Sequence, residues 1–219
     1  MGLALEVGVL ADIIETGGEE VAFFQKEFAT LNHFLSSIPL PPHNEPEQME
    51  VWSATMYGYS GLHYLRRIAV HLHFNGTLPP PGDENANEDE LLNRYIDEID
   101  EEKEGPFGPF DHLILHSDAE GYYLPQDFPW VLFPPEDSEI PGGMIGSSYR
   151  LLDECKRLAT ALGLPLDLDP EDGCFDEAAD SQGTGEHLWQ RYGVESHTCI
   201  RLYYAASLSI KSGAAIVFV

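Results

Sequence analysis

Two acidic stretches limit what this chain can bury. From Asp83 to Glu104 the sequence contains eleven acids and two bases, and residues 167–186 contain eight acids and no Lys or Arg. Runs of this kind form solvated faces or mobile insertions, because unpaired charge is costly to bury. We therefore expect residues 79–106 to form a peripheral acidic insertion.

The overall charge narrows the choice of partners. Asp and Glu number 38 against 11 Lys and Arg, which gives a formal net charge of -27. Binding to nucleic acid or to an anionic membrane requires a basic surface, so both are disfavoured. Such a field suits a basic protein partner, although the same acids could serve only to keep the protein in solution.

Apolar residues recur at three- or four-residue spacing in several segments and predict helices. One helix follows the "GGMIGSS" loop, with Ser147 or Ser148 as its N-cap and Gly163 as its C-cap. Its glycines and serines are explained by a capped turn, and the alternative, an anion-binding helix N-terminus, lacks the Lys of a P-loop. The remaining predicted helices span residues 18–36, 60–74, 88–104 and 195–213.

Three short apolar runs predict strands, at residues 112–116, 121–125 and 214–218. Helices and strands do not alternate regularly along the chain, so an α+β fold is favoured over a doubly wound parallel sheet. We therefore expect residues 1–219 to form a single, helix-rich α+β domain with a small, mostly antiparallel sheet.

The stretch "FDHLILHSDAEGYYLPQDF" at 110–128 is the richest in reactive side chains. His112 and His116 would lie ~13 Å apart on a strand, which is too far for two ligands of one zinc ion. Asp118 either belongs to a site or caps a hairpin turn in which Gly121 adopts a positive φ.

A cationic stripe occupies the predicted helix 60–74. His63, Arg67 and His71 follow one another at four-residue spacing. They either hold an anionic ligand or pair with the protein's own acids, such as Asp111 or Asp118.

If that helix packs against the hairpin, the stripe and the hairpin form one pocket. We expect its lining to be His63, Arg67, His116, Asp118 and Tyr122. A pocket of this kind would favour a small enzyme or a ligand-binding protein.

The sequence contains no recognisable cofactor motif and no EF-hand, and a weak cation site at 167–173 is left open. "DLDPEDG" at 167–173 nearly matches a calcium loop, but Ala178 stands where a bidentate Glu is required. Three cysteines form neither a CxxC pair nor an even disulfide set, which fits a reducing cytoplasm.

Three segments, "GYSGLHYLRR", "FDHLILHSDAEGYYLP" and "ESHTCIRLYYAASLSIKSGAAIVF", resemble an uncharacterised family of soluble, acidic bacterial proteins. No activity is established for that family, so the resemblance implies no site residues. The acidic character is also similar to that of immunity proteins, which neutralise basic toxins. The leading hypothesis is a non-enzymatic, immunity-like binder of a basic protein, and the alternative is an enzyme or ligand-binding protein with the His/Arg/Asp pocket.

Overall fold

A computed structural model describes residues 3–17, 20–82, 86–98, 106–117 and 119–218. Within these ranges the chain forms five strands and nine α-helices. The strands are β1 (Ala4–Val7), β2 (Trp52–Thr55), β3 (Tyr122–Leu124), β4 (Ile145–Ser147) and β5 (Ile216–Phe218). The helices are α1 (Val9–Thr16), α2 (Glu20–Leu35), α3 (Gly58–Asn75), α4 (Glu90–Asp97), α5 (Asp111–Ile114), α6 (Ser148–Leu162), α7 (Cys174–Asp180), α8 (Leu188–Arg191) and α9 (Gly193–Ser212).

The five strands form one mixed sheet in the order β2-β1-β5-β3-β4. All pairs are antiparallel except β3 and β4, which run parallel. The outer side of β4 is covered, because Leu132 and Ile145 exchange two backbone hydrogen bonds of 3.0 Å. β2 forms the opposite edge of the sheet.

Apolar side chains cover both faces of the sheet, as the alternation of strand residues requires. On one face Leu5, Tyr123 and Ile216 join the core formed with α3, α6 and α9. On the other face Tyr122 and Val217 join a second cluster with α1 and α2. Helices on both faces explain why the strands carry few polar residues.

The best predicted helices are those whose end signals are local in sequence. Ser147 caps α6 by accepting a hydrogen bond from the Arg150 N–H, and Gly163 ends it in the left-handed conformation. Gly213 ends α9 in the same way. Helices predicted at 18–36, 60–74 and 195–213 are thus confirmed, with ends shifted by one or two residues.

The α+β fold class is confirmed, but the strand predicted at 112–116 is wrong. Residues 111–114 form the short helix α5 instead. Its first free N–H groups, those of His112 and Leu113, donate to the buried carboxylate of Glu154 at 3.0 and 2.8 Å. The partner is 41 or 42 residues away, so no local sequence signal marked the helix.

The first acidic segment contains a shorter helix than the sequence predicts. The helix predicted at 88–104 is shorter, since α4 ends at Asp97, and residues 83–85 and 99–105 lie outside the described residues. The peripheral insertion at 79–106 stays a prediction. Within the described part of the chain, no helix is long and apolar enough to cross a membrane.

Candidate functional site

The cationic stripe of α3 faces the start of α4. Asp89 accepts hydrogen bonds from Arg67 Nε at 3.1 Å and His71 Nε2 at 2.9 Å. Burial acts to raise the pKa of Asp89, but these hydrogen bonds and one from the Leu91 N–H outweigh it, and the pKa is lowered. The stripe therefore pairs with an acid of the protein, although with Asp89 and not with Asp111.

His116 lies inside the fold, against the sheet. Its ring stacks on Tyr123 with centroids 4.0 Å apart, and Arg66 donates to its carbonyl oxygen. The two ring nitrogens lie 3.0 Å from the carbonyl oxygens of Ser117 and Tyr122. Burial outweighs these contacts and lowers the pKa of His116 to about 4, so the ring is neutral at pH 7.

The structure does not bring the five predicted pocket residues together. Tyr122 belongs to the opposite face of the sheet from α3, where its hydroxyl donates to Glu27 at 2.6 Å. His63 is half-buried on α3, and Asp118 lies outside the described residues. The ligand-binding role of the set stays a prediction. Gly121 does adopt the expected positive φ, 97°.

The reasoning that separated His112 from His116 used strand geometry and is therefore wrong. His112 belongs to α5, and its Nδ1 accepts a hydrogen bond from the Ser147 N–H at 3.0 Å. Burial lowers the pKa of His112 to about 3. Among the described residues no group of three or more His, Cys, Asp or Glu is arranged to hold a metal ion.

The second acidic stretch carries exposed acids before, within and after α7, and we call this set the acidic face. The N–H of Cys174 donates to the exposed Asp172 carboxylate and lowers its pKa. Every acid of the stretch is exposed, and its sequence contains no Lys or Arg. The acidic face consists of Asp167, Asp169, Glu171, Asp172, Asp176, Glu177, Asp180 and Glu186.

A buried cation, Arg201, pairs with one carboxylate of the acidic face. Arg201 on α9 is buried, with Nη2 3.6 Å from the Asp176 carboxylate, and His197 Nε2 lies 3.0 Å from the same oxygen. Burial lowers the pKa of Arg201, while Asp176 and Glu171 act in the opposite direction. Burial and the charge of Arg201 lower the pKa of His197 to about 4, and they outweigh Asp176, which acts to raise it.

Other bases of the described chain are likewise engaged within the protein. Arg94 pairs with Glu98 at 2.6 Å, Arg150 with Asp127 at 2.8 Å, and Lys156 with Asp153 at 3.2 Å. The exposed bases for which the structure shows no ion pair within the described ranges are Lys26, Arg157, Arg191 and Lys211. Of these, Arg191 lies at one end of the acidic face, where its guanidinium donates to the carbonyl oxygens of Gly185 and Glu186. The acidic face thus presents eight exposed carboxylates with one exposed base at its edge.

A cleft of about 450 Å³ adjoins the acidic face. Residues 53–57, from β2 and the turn after it, form one wall, and Glu171, Asp176, His197 and Arg201 form the other. The Tyr57 hydroxyl contacts Asp180 at 3.4 Å. The sequence analysis missed this cleft, although the alternation in "VWSATM", with Ala54 and Met56 buried and Ser53 and Thr55 exposed, is a strand signal.

A comparison with protein families finds one match across the chain. A family model described as "Putative DNA-mimic protein" matches residues 1–218. No curated protein and no solved structure matches the chain. The family match contradicts the immunity-like interpretation, which came from composition alone, and that interpretation is wrong.

Proposed function

We propose that this chain, which belongs to the DNA-mimic protein family, binds a DNA-binding protein at the surface that otherwise contacts DNA. The observation that carries the proposal is the acidic face, where exposed carboxylates occur without any intervening Lys or Arg. DNA-binding proteins place Lys and Arg opposite phosphates. Carboxylates presented on a folded surface are ligands for the same side chains.

The internal pairing of cations supports this proposal. A phosphate backbone carries no positive charge of its own, so bases that are buried inside a mimic do not interrupt its acidic surface. Arg67 and Arg201 are both buried against acids, so they help to hold the fold without contributing exposed positive charge. The large net charge, -27, also accelerates encounter with a basic partner and makes association slow down as salt is added.

Competition with DNA is the direct test. Proteins retained on heparin are passed over the immobilised chain, and bound proteins are eluted with a short DNA duplex. Each purified partner is then mixed with fluorescent duplex, and its release by the chain is followed by anisotropy. We expect the chain to displace DNA with a midpoint near its own Kd. A captured protein that binds the chain and DNA at the same time would contradict the proposal.

Two variants with equal net charge show whether the acidic face is responsible. The first is Asp167→Asn/Glu177→Gln/Glu186→Gln, on the acidic face. The matched control replaces three exposed acids outside that face: Glu15→Gln/Glu20→Gln/Glu47→Gln. At roughly 0.5 kcal/mol for each exposed pair, the first should lose about tenfold in affinity. The control should lose less than threefold, and equal losses would mean that only the total charge matters.

A further inference from the structure

The two edges of the sheet differ. At β4 the backbone hydrogen bonds continue to Leu132. At β2 the Met56 N–H donates to the Leu3 carbonyl at 2.8 Å, which makes Leu3 and Met56 a hydrogen-bonded antiparallel pair. Because such pairs alternate along the ladder, the N–H and C=O of Ser53 and Thr55 point away from β1.

Nothing in the described chain continues the ladder beyond Ser53 and Thr55. Both residues are exposed, and the space beside them is the cleft of about 450 Å³. An unpaired strand edge is a template for another extended chain, which gains main-chain hydrogen bonds by adding to it. β2 spans four residues, or ~13 Å, so it offers pairing for about four residues of an added strand.

The cleft also indicates the charge of the added chain. Glu171 and Asp176 line the wall opposite β2, and Arg201 is the cation among the lining residues. Asp176 and Glu171 both act on the buried Arg201, but two exposed carboxylates face one guanidinium, so the wall keeps a net negative charge that attracts a positive side chain. Trp52 and Tyr204, with ring centroids 4.9 Å apart, provide an aromatic surface at the same strand.

We propose that an extended segment of the DNA-binding partner, with Lys or Arg at alternate positions, adds to β2 as a sixth strand and directs those side chains at the acidic wall of the cleft. This inference rests on the proposed function for the identity of the partner. Side chains of a strand alternate between its two faces, so basic residues at alternate positions all lie on one face and meet the wall that contains Glu171. The acidic face then contacts the folded part of the partner.

A second copy of the chain is a poorer occupant of the edge. Pairing β2 with β2 would bring together two molecules that each carry a net charge of -27, and would place two acidic faces close to one another. A basic segment instead neutralises the acids of the cleft. The occupant we assign is therefore a basic, extended peptide.

The test removes one outward N–H of β2 without changing charge. Thr55→Pro deletes the N–H that the added strand would use, and proline is tolerated at a strand edge whose N–H faces solvent. Thr55→Val retains the N–H and is the matched control. The probe is an eight-residue peptide of alternating Lys and Thr, measured by calorimetry at low salt. We expect Thr55→Pro to weaken binding at least tenfold and Thr55→Val less than twofold. Circular dichroism checks that both variants fold.

Peptide variants distinguish strand addition from diffuse charge attraction. N-methylation of every second amide leaves the peptide's charge unchanged, and only one of the two alternating sets faces β2. We expect N-methyl groups on one set of amides to abolish binding and those on the other set to leave binding intact. We also expect the backbone amide hydrogens of Ser53 and Thr55 to exchange with solvent more slowly in the complex. Equal binding by both peptides, or by Thr55→Pro and Thr55→Val, would overturn the inference.

The purified partner separates failure of this inference from failure of the proposed function. If the chain displaces DNA from the partner and Thr55→Pro does so equally well, the mimicry stands and strand addition is wrong. If no partner is displaced from DNA, the proposed function fails, whatever the peptide shows. A dimer in sedimentation that Thr55→Pro dissociates would assign the edge to self-association and also overturn the inference.

Discussion

Replacing Asp89 tests whether the cationic stripe of α3 is satisfied inside the protein. The side chain accepts the N-cap hydrogen bond of α4 from the Leu91 N–H at 2.9 Å, and it binds Arg67 and His71. Loss of an N-cap costs about 1 kcal/mol. Loss of hydrogen bonds to a mostly buried guanidinium adds about 2 kcal/mol, because Arg67 stays buried with less negative charge around it. Asp89→Ala should therefore lower the free energy of unfolding by about 3 kcal/mol.

Asp89→Asn separates the two contributions. Asparagine is as good an N-cap as aspartate, so the cap is retained while the charge is lost. The loss should be about 1–2 kcal/mol. The assay is urea denaturation followed by circular dichroism, in which Asp89→Ala moves the midpoint by roughly 1 M if the m-value is about 3 kcal/mol per M. The m-values of the variants should agree with that of the parent protein.

Glu90→Ala is the matched control, since Glu90 is the exposed neighbour in the first turn of α4. It removes one carboxylate that shows no ion pair within the described residues, and should cost less than 0.5 kcal/mol. If Asp89→Ala were no more destabilising than Glu90→Ala, the pairing of the α3 stripe with Asp89 would not contribute to stability. The account of Arg67 as neutralised inside the protein by Asp89 would then be wrong.

Three further outcomes follow from buried groups. Burial lowers the pKa of His116 to about 4, whereas a histidine in the unfolded chain titrates near 6.5. Between these two pH values the unfolded state binds one more proton than the folded state, so the free energy of unfolding decreases as the pH falls. In urea titrations across that range, His116→Gln should show a flatter dependence, by up to ~1.4 kcal/mol per pH unit, and an unchanged slope would contradict the assignment. Gly193→Ala should lower the free energy of unfolding by about 2 kcal/mol in thermal denaturation, because the new Cβ would overlap the Ala178 carbonyl and push α7 away from α9. A Cβ at Gly173 contacts no other atom, so Gly173→Ala is the control and should leave the stability nearly unchanged. Of the three cysteines, we expect only Cys174 to react with iodoacetamide in the native protein, because it is half-buried and the other two are buried. The reaction should be slow, because burial and a neighbouring acid raise the pKa of Cys174 to about 11. The other two cysteines should react only after denaturation.

The elements predicted from sequence are those defined by local patterns. The helices α3, α6 and α9 each combine apolar periodicity with a glycine at the C-terminal end, and both signals lie within the element itself. α5 was missed because its N-terminal amides are capped by Glu154, a residue of α6. The run "LIL" between two histidines is compatible with a strand or a helix until that partner is known.

The candidate site was harder to predict for a related reason. The sequence identified the acidic stretch at 167–186 and its exposure, because charge density is a local property. It did not identify the wall formed by His197 and Arg201, which α9 carries into contact with Asp176 of α7. The sequence also did not identify Asp89, the N-cap of α4, as an acid that pairs with Arg67. Which acid pairs with which base is decided by helix packing and not by spacing in the chain.

The Leu132 bridge across β4 determines how many molecules a sheet of this kind can join. A sheet with two open edges can accept a strand on each side and so continue into a row of molecules, each linking two neighbours. Within the described residues, Leu132 pairs with the β4 edge, whereas nothing pairs with the outer side of β2. Any assembly built by strand pairing therefore stops after a single addition. The protein would act as a monovalent cap that takes up one partner at a time, which suits a molecule that must occupy a DNA-binding surface without cross-linking its targets.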